Sequence, residues 1–401
     1  MGPRFLCIFF ILLNICAAYW SIRLARADIL SQEDSISSRQ AATDLTPGDA
    51  KCWIRLAHLQ EQRGRDALPS FSRAAAANDL SAEAWIGMGL EQEVAGQVDL
   101  AQKCLLHAAE LSKEYVPRST LANFYFRRND PAHFWPWAKQ ALAVASGDQQ
   151  SIFRMCWGLS SDPDEIARNV LPDGRLILRQ YAIWLTTAGK LQAAAPIAIR
   201  LLAEAKDDDL PSLLYYCDSQ IAKGHIGAAE AVWAQLLSKH LLPAAEDSSA
   251  TGLVNGQFIV EPMNSGFDWR LPPAGGVTIR RRFPGLRIML SGSQPESCMM
   301  LLQYIPIESG RHYRLWYEYQ TADIPPGSGL AWRVYDVTGR VEFIKDSPSL
   351  AREQMGRESL TFVTPSNASG GLLALTYNRV PGTTRISGWL QLKQAGLEAT
   401  K

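Results

Sequence analysis

The feature that most constrains this chain is an internal spacing. Trp53 and Trp85 are 32 residues apart, and so are Gly64 and Gly96. Ala67, Phe71 and Ala74 return 34 residues later as Ala101, Leu105 and Ala108. The two-residue difference falls in the turn between the two helices of a unit, where insertions cost least. Apolar residues at helical spacing, broken by a glycine and repeated every 32 to 35 residues, describe one two-helix hairpin per repeat. A single hairpin cannot bury its apolar face and must stack on its neighbours.

The clearest unit runs over 81–112, with Trp85, Met88-Gly89, Gly96, Ala101, Leu105 and Ala108 in order. The unit before it carries Trp53, Leu56-Ala57, Gly64, Ala67, Phe71 and Ala74, and Pro47 stands six residues ahead of Trp53. Later units are looser. Leu121-Ala122, Tyr125 and Ala141 continue the pattern, while Pro136, between Trp135 and Trp137, is expected to interrupt a second helix. Gly189, Ala194, Ala198 and Leu201 form another unit, and Gly224, Ala229, Trp233 and Leu236 follow 35 residues on. The stretch 143–174 is the least regular, with turn signals at Asp162-Pro163-Asp164 and Pro172-Asp173-Gly174. Five or six hairpins are expected over 28–243. These residues resemble the tetratricopeptide repeat pattern of Trp, Leu-Gly, a turn Gly, Ala, an aromatic, Ala and a closing Pro. The resemblance implies an α-α solenoid whose concave surface grips other proteins, its repeat tryptophans being core.

Ahead of the repeats, residues 5–22 are an uncharged run of 18 residues in which Asn14 is the one amide. That length just crosses a hydrocarbon core of about 30 Å. Tyr19 and Trp20 suit an interface. Segment 1–27 is therefore read as a single-pass signal anchor, the alternative being a cleaved signal peptide with Ala25-Arg26-Ala27 as its site. The anchor is preferred because the residues from Ser21 to Leu30 already read as the first helix of the array. Either reading puts the bulk of the chain outside the cytoplasm, in a periplasm. Arg4 on one side and Arg23 and Arg26 on the other leave the orientation open.

After a polar linker at 244–256 the hydrophobic period changes from helical to two. Strands are expected at 257–260, 276–281, 286–291, 299–306, 312–320, 330–336, 359–362, 372–378 and 386–393. Together they make an all-β sandwich over 257–396. On the strand from His312, Tyr313, Leu315, Tyr317 and Tyr319 share one face and Arg314, Trp316, Glu318 and Gln320 the other. The apolar face is assigned to the core. The segments Leu253-Val254-Asn255-Gly256-Gln257-Phe258, Phe267-Asp268-Trp269, 305–313, Phe362-Val363-Thr364-Pro365 and Ile386-Ser387-Gly388-Trp389-Leu390 resemble framework motifs of jelly-roll carbohydrate-binding modules of the galactose-binding-like type. The closing strand lacks the Asp-Asp pair that accompanies a structural calcium in such modules. The resemblance implies polysaccharide as a ligand. An exposed ring with amide or Arg donors beside it would carry it, and Trp316, Gln320, Arg333 and Tyr335 are the candidates. Arg280-Arg281-Arg282 with Arg287 is the one dense basic cluster, read either as a solvated strand edge or as a site for an anionic polymer.

Forty Lys and Arg balance 40 Asp and Glu, so no global field draws in nucleic acid. Past residue 250 there are sixteen basic and twelve acidic residues, and the remainder of the chain carries the opposite excess. The seven cysteines form no CxxC pair and the six histidines no HExxH or other metal spacing. GxSxG, P-loop and dinucleotide-binding motifs are absent. Acidic clusters at Asp207-Asp208-Asp209 and at Asp162 and Asp164 read as solvated loops. No catalytic, cofactor-binding or metal-binding residue is expected. The chain is thus read as multidomain α plus all-β: a membrane helix, a tetratricopeptide-like solenoid and a jelly-roll β-sandwich. The layout resembles accessory proteins of bacterial polysaccharide assembly and export. A protein–protein adaptor without sugar affinity, or a glycan-active enzyme with a hidden carboxylate pair, are the alternatives.

Overall fold

The computed structural model describes residues 3–147, 149–171, 174–243, 252–344 and 347–400. The turn signal at Pro172-Asp173 and the linker residues 244–251 lie outside the described residues. The chain divides into two compact units, Met1–Gly174 and Arg175–Lys401.

The first unit is helical. Helix α1 (Pro3–Gln32) is followed by α2 (Ile36–Leu45), α3 (Ala50–Gln62), α4 (Leu68–Ala77), α5 (Ala82–Val94), α6 (Val98–Leu111), α7 (Tyr115–Arg127), α8 (Pro131–Val144), α9 (Gln150–Leu159) and α10 (Pro163–Val170). Short polar residues start several helices by accepting a free backbone N–H: Asp49 for α3, Ser81 for α5 and Asp130 for α8. Asp162 does the same for α10, so the first turn signal is a helix cap. Gly64 and Gly96 close α3 and α5 at φ of 65° and 76°. Behind them the N–H groups of Arg65 and Gln97 reach back to Gln60 and Gln92, which satisfies carbonyls the helix leaves open. Asn129, at φ 51°, makes the same turn after α7, with Asp130 donating to Tyr125. The indoles of Trp53 and Trp85 each donate to a carbonyl six residues earlier, at Pro47 (2.9 Å) and Asp79 (2.8 Å). Pro136 does not break α8, which runs through it to Val144. The irregular stretch folds as the short helices α9 and α10, so the described residues of both units hold seven helix pairs rather than five or six.

Helix α1 is long and apolar enough to cross a membrane over Ile8–Gln32. Its last third is part of the helical array. Ala27 and Ser31 are buried. Arg23 Nε donates to the Leu45 carbonyl at 2.7 Å, and Arg55 meets Asp28 at 3.0 Å.

The second unit holds helices α11 (Arg175–Thr187), α12 (Leu191–Ala203), α13 (Leu210–Ala222) and α14 (Ile226–Ser238), then eight strands. Gly189 and Gly224 make the expected turns at φ of 70° and 78°. Asp209 is not solvated: it is 1% exposed and held by Arg175 and Arg179 at the head of α13. The strands are β1 (Val277–Arg281), β2 (Leu286–Ser291), β3 (Ser297–Ile305), β4 (His312–Ala322), β5 (Leu330–Asp336), β6 (Gly356–Val363), β7 (Gly371–Asn378) and β8 (Ser387–Thr400). They form an antiparallel five-stranded sheet, β1-β2-β8-β4-β6, and an antiparallel three-stranded sheet, β3-β7-β5. Tyr313, Leu315, Tyr317 and Tyr319 of β4 and Leu330, Trp332 and Val334 of β5 face each other in one core, every buried member of which lies at Leu253 or beyond.

The strand expected at 257–260 is absent. Asn255 sits at φ 51° and is buried, and its side chain bonds both backbone groups of Val260. Its carbonyl accepts the Trp269 indole at 3.0 Å, so the segment is a turn pinned beneath Trp269 rather than an edge strand. The same loop is fastened to α13 and α14. Asp218 takes Arg270 at 2.6 Å and the Gly266 N–H at 2.6 Å, and the Trp233 ring fills the space where any side chain at Gly266 would stand.

Candidate functional site

Strand alternation decides what each sheet shows to the outside. In β2, Leu286, Ile288 and Leu290 enter the core, which turns Arg287 and Met289 outward. In β8, Leu390 and Leu392 enter it, which turns Trp389 and Gln391 outward. In β4 the outward set is Arg314, Trp316, Glu318 and Gln320. Register then builds rows across the five-stranded sheet. Arg280 of β1 faces Arg287 of β2, Arg287 faces Gln391 of β8, and Gln391 faces Gln320 of β4. With strands about 4.8 Å apart, that row is roughly 14 Å long.

Two arginines lie over two indoles. The Arg287 guanidinium is 4.1 Å from the Trp389 ring centre, and that of Arg357 is 4.3 Å from the ring of Trp316. Trp389 is half-buried and Arg357 exposed. Trp316 is only 9% exposed. Its ring rests over Gly396 of β8, where an added Cβ would come within 2.3 Å of it. Each guanidinium thus lies within cation–π distance of an indole face. Arg287 is steadied further by Gln391, whose carbonyl accepts its Nε at 3.1 Å and whose amide is used up on the Arg282 and Pro284 carbonyls. Burial, and then the neighbouring Arg282, hold Arg287 below the usual arginine value.

Other charges on this face are neutralised. Glu318 accepts Lys393 at 2.8 Å and Gln394 at 2.6 Å, and these bonds hold it below the ordinary carboxylate range. Glu398 is lowered first by Arg314 at 2.6 Å, with a smaller contribution from Trp316. By contrast, Arg280, Arg282, Arg287 and Arg357 form no ion pair among the described residues.

The four sequence candidates do not converge. Trp316 and Gln320 lie on the outer face of the five-stranded sheet, while Arg333 and Tyr335 lie on the outer face of the three-stranded one. Arg333 is engaged by Glu342, and burial followed by Glu342 raises the Tyr335 hydroxyl. Trp316 itself is a support for Arg357 rather than an open ring. Trp389 and Arg357 were not among the candidates, and Arg287 was read only as part of the basic cluster with Arg280, Arg281 and Arg282. The parity argument that turned Trp316 outward turns Trp389 outward as well.

A hollow lies where α14 meets the loop before β1, lined by Trp233, Leu237, Leu253, Phe267, Gln303 and Tyr304. At about 180 Å³ it is smaller than the roughly 300–1,000 Å³ usual for small-molecule sites. No group of three or more His, Cys, Asp or Glu among the described residues is placed to hold a metal.

No protein-family model matches this chain, and no curated protein does. Among solved structures, one described as "CBM4 structure and function" is 11% identical and covers 36% of this chain and 98% of its own, with a TM-score of 0.30. The tetratricopeptide protein YrrB, described as having an unusual peptide-binding site, is 14% identical over 54% of this chain and 99% of its own, at a TM-score of 0.27. PilF of Pseudomonas aeruginosa is 15% identical over 57% and 91%, at 0.28. Likeness at this level assigns no residue and no ligand here. In architecture the chain is an array of helical hairpins with an apolar N-terminal helix, followed by an antiparallel β-sandwich.

Proposed function

We propose that this protein is a membrane-anchored, non-enzymatic scaffold acting outside the cytoplasm, in the assembly or export of a bacterial exopolysaccharide or O-antigen-type polysaccharide. Its stacked hairpins take partner proteins, and its sandwich takes glycan on the outer face of the five-stranded sheet. The observation that carries the glycan reading is that face itself: two indoles and a row of amide and guanidinium groups share one sheet surface. Such a surface offers an extended chain guanidinium and amide hydrogen-bond donors, backed by the indoles beneath the arginines. Retention of the anchor is supported by α1. A cut after Ala27 would remove Arg23 and the buried Ala27 and uncover Ser31.

The test is retention of the full chain, in detergent micelles, on immobilised polysaccharides. Binding is expected, weakened at least fivefold by Trp389→Ala and by Trp316→Ala while the melting transition of the sandwich persists. Absence of binding across a broad glycan panel would leave the sandwich as a protein-docking face. New reducing ends on prolonged incubation with a bound polysaccharide would overturn the non-enzymatic assignment.

A further inference from the structure

The glycan reading leaves open what kind of polymer the face selects, and its charges narrow the choice. Arg280 and Arg287 stand directly opposite one another on β1 and β2. Like charges directly opposite on neighbouring strands are destabilising. A sheet normally relieves such a pair with a nearby carboxylate, as this sheet does for Arg314 with Glu398 and for Lys393 with Glu318. Arg280 and Arg287 have no such partner among the described residues, whereas Arg357 stands directly opposite Glu318. Two of the three also rest against an indole, Arg287 on Trp389 and Arg357 on Trp316, contacts that restrict the guanidinium. The fork of an arginine restricted in this way loses little further freedom on meeting a planar carboxylate, which it can take through two parallel N–H···O bonds.

The two arginine–indole pairs lie along the sheet from each other. Trp389 faces Ala322 on β4, and Trp316 is six residues away on that same strand. At about 3.3 Å per residue the two indoles are roughly 20 Å apart, a distance that several linked sugars would span. A neutral chain would leave the arginine repulsion in place. A chain bearing acidic groups would relieve it at Arg280 and Arg287, and could meet the exposed Arg357 at the other end of the face.

We infer that the outer face of the five-stranded sheet binds an acidic, carboxylate-bearing polysaccharide, with Arg287 and Arg280 taking one uronate group and Arg357 another, and Trp389 and Trp316 backing the guanidinium groups of Arg287 and Arg357. This rests on the glycan reading above and adds the charge class of the ligand.

The experiment titrates the full chain in micelles with polygalacturonate, alginate and hyaluronan, each beside its carboxyl-methylated form, with dextran sulfate as a further arm. At least one uronate polymer is expected to bind tenfold or more tightly than its ester. Its advantage should vanish in 1 M salt, where the screening length is about 3 Å. Arg287→Gln combined with Arg357→Gln should cost tenfold or more on the acid and little on the ester. Arg333→Gln, on the other sheet, should cost nothing. Equal binding of acid and ester overturns the charge assignment and leaves the glycan reading intact. Binding to dextran sulfate alone overturns the carboxylate. No binding to any polymer overturns both readings. An equal loss in Arg333→Gln overturns the assignment to this face.

Discussion

Where α5 crosses its neighbours, the tight contacts are glycines: Gly87 lies against the Phe71 ring and Gly89 against Leu105. Between the two sheets the space is filled by rings. Phe258 and Trp269 are 5.3 Å apart, Tyr317 and Trp332 5.9 Å, and Trp269 and Trp332 6.1 Å. The helical array holds together because small residues let helices approach, and each hairpin leans on its neighbours. The sandwich holds together because large residues meet in one shared core. Damage to the first should stay local, and damage to the second should spread through every strand. The difference also separates the two kinds of working surface. Rings that face inward make the sandwich, and the two outward indoles of β4 and β8 are free to hold arginines instead.

Trp332→Ala strikes the contrast hardest. Removing a fully buried indole should cost about 3–5 kcal/mol and unfold the sandwich early, while the far-ultraviolet helical signal survives to its own transition. Loss of both signals together would show that the two regions share one core after all.

Asp268 gives the next largest effect. It is fully buried, and burial pushes its carboxyl up to about 6, against backbone N–H bonds from Met263 and Trp269 that pull it down. A folded value above the unfolded one means the folded sandwich holds the proton more tightly. Its contribution is therefore fully present below pH 4 and is lost as pH rises through 6. About two pH units correspond to roughly 3 kcal/mol. The stability of the native chain relative to Asp268→Asn should fall by about that amount between pH 4 and 7, read by denaturant melts at each pH. A flat difference would contradict the burial argument.

In the helical array, Gly87→Val should overpack Phe71 and cost about 1–3 kcal/mol, partly recovered by Phe71→Leu. Hydrogen exchange should show the loss confined to α3 through α6. Gly64→Ala, in the left-handed region, should cost only about 1 kcal/mol. Asn129→Gly at the matching turn should gain a few tenths, as measured by thermal melts.

Much of this was legible in the sequence because it is local. A glycine at φ near 70° closes each regular hairpin, and short apolar or alternating runs mark all eight strands, with β2 and β5 at their full extent. Asn129 escaped notice because a left-handed asparagine does a glycine's work without looking like one. Residues 257–260 alternate like a strand, but the buried Asn255 diverts their backbone groups into a turn. The candidate site was half legible. Parity says which side of its own strand a residue takes, yet not which sheet that strand joins. Trp316 and Tyr335 therefore looked alike and stand on different sheets. The pairing of Arg357 with Trp316 depends on β6 lying beside β4, a contact between positions about forty residues apart that no local pattern announces.

The most direct test replaces the 12 tryptophans with 5-fluorotryptophan in the full chain and follows their fluorine resonances as polygalacturonate is added. Trp316→Phe and Trp389→Phe assign two of the signals. Those two should shift together and saturate with the polymer while the others stay in place. Movement confined to tryptophans of the helices, or of Trp332 without Trp389, would contradict the account.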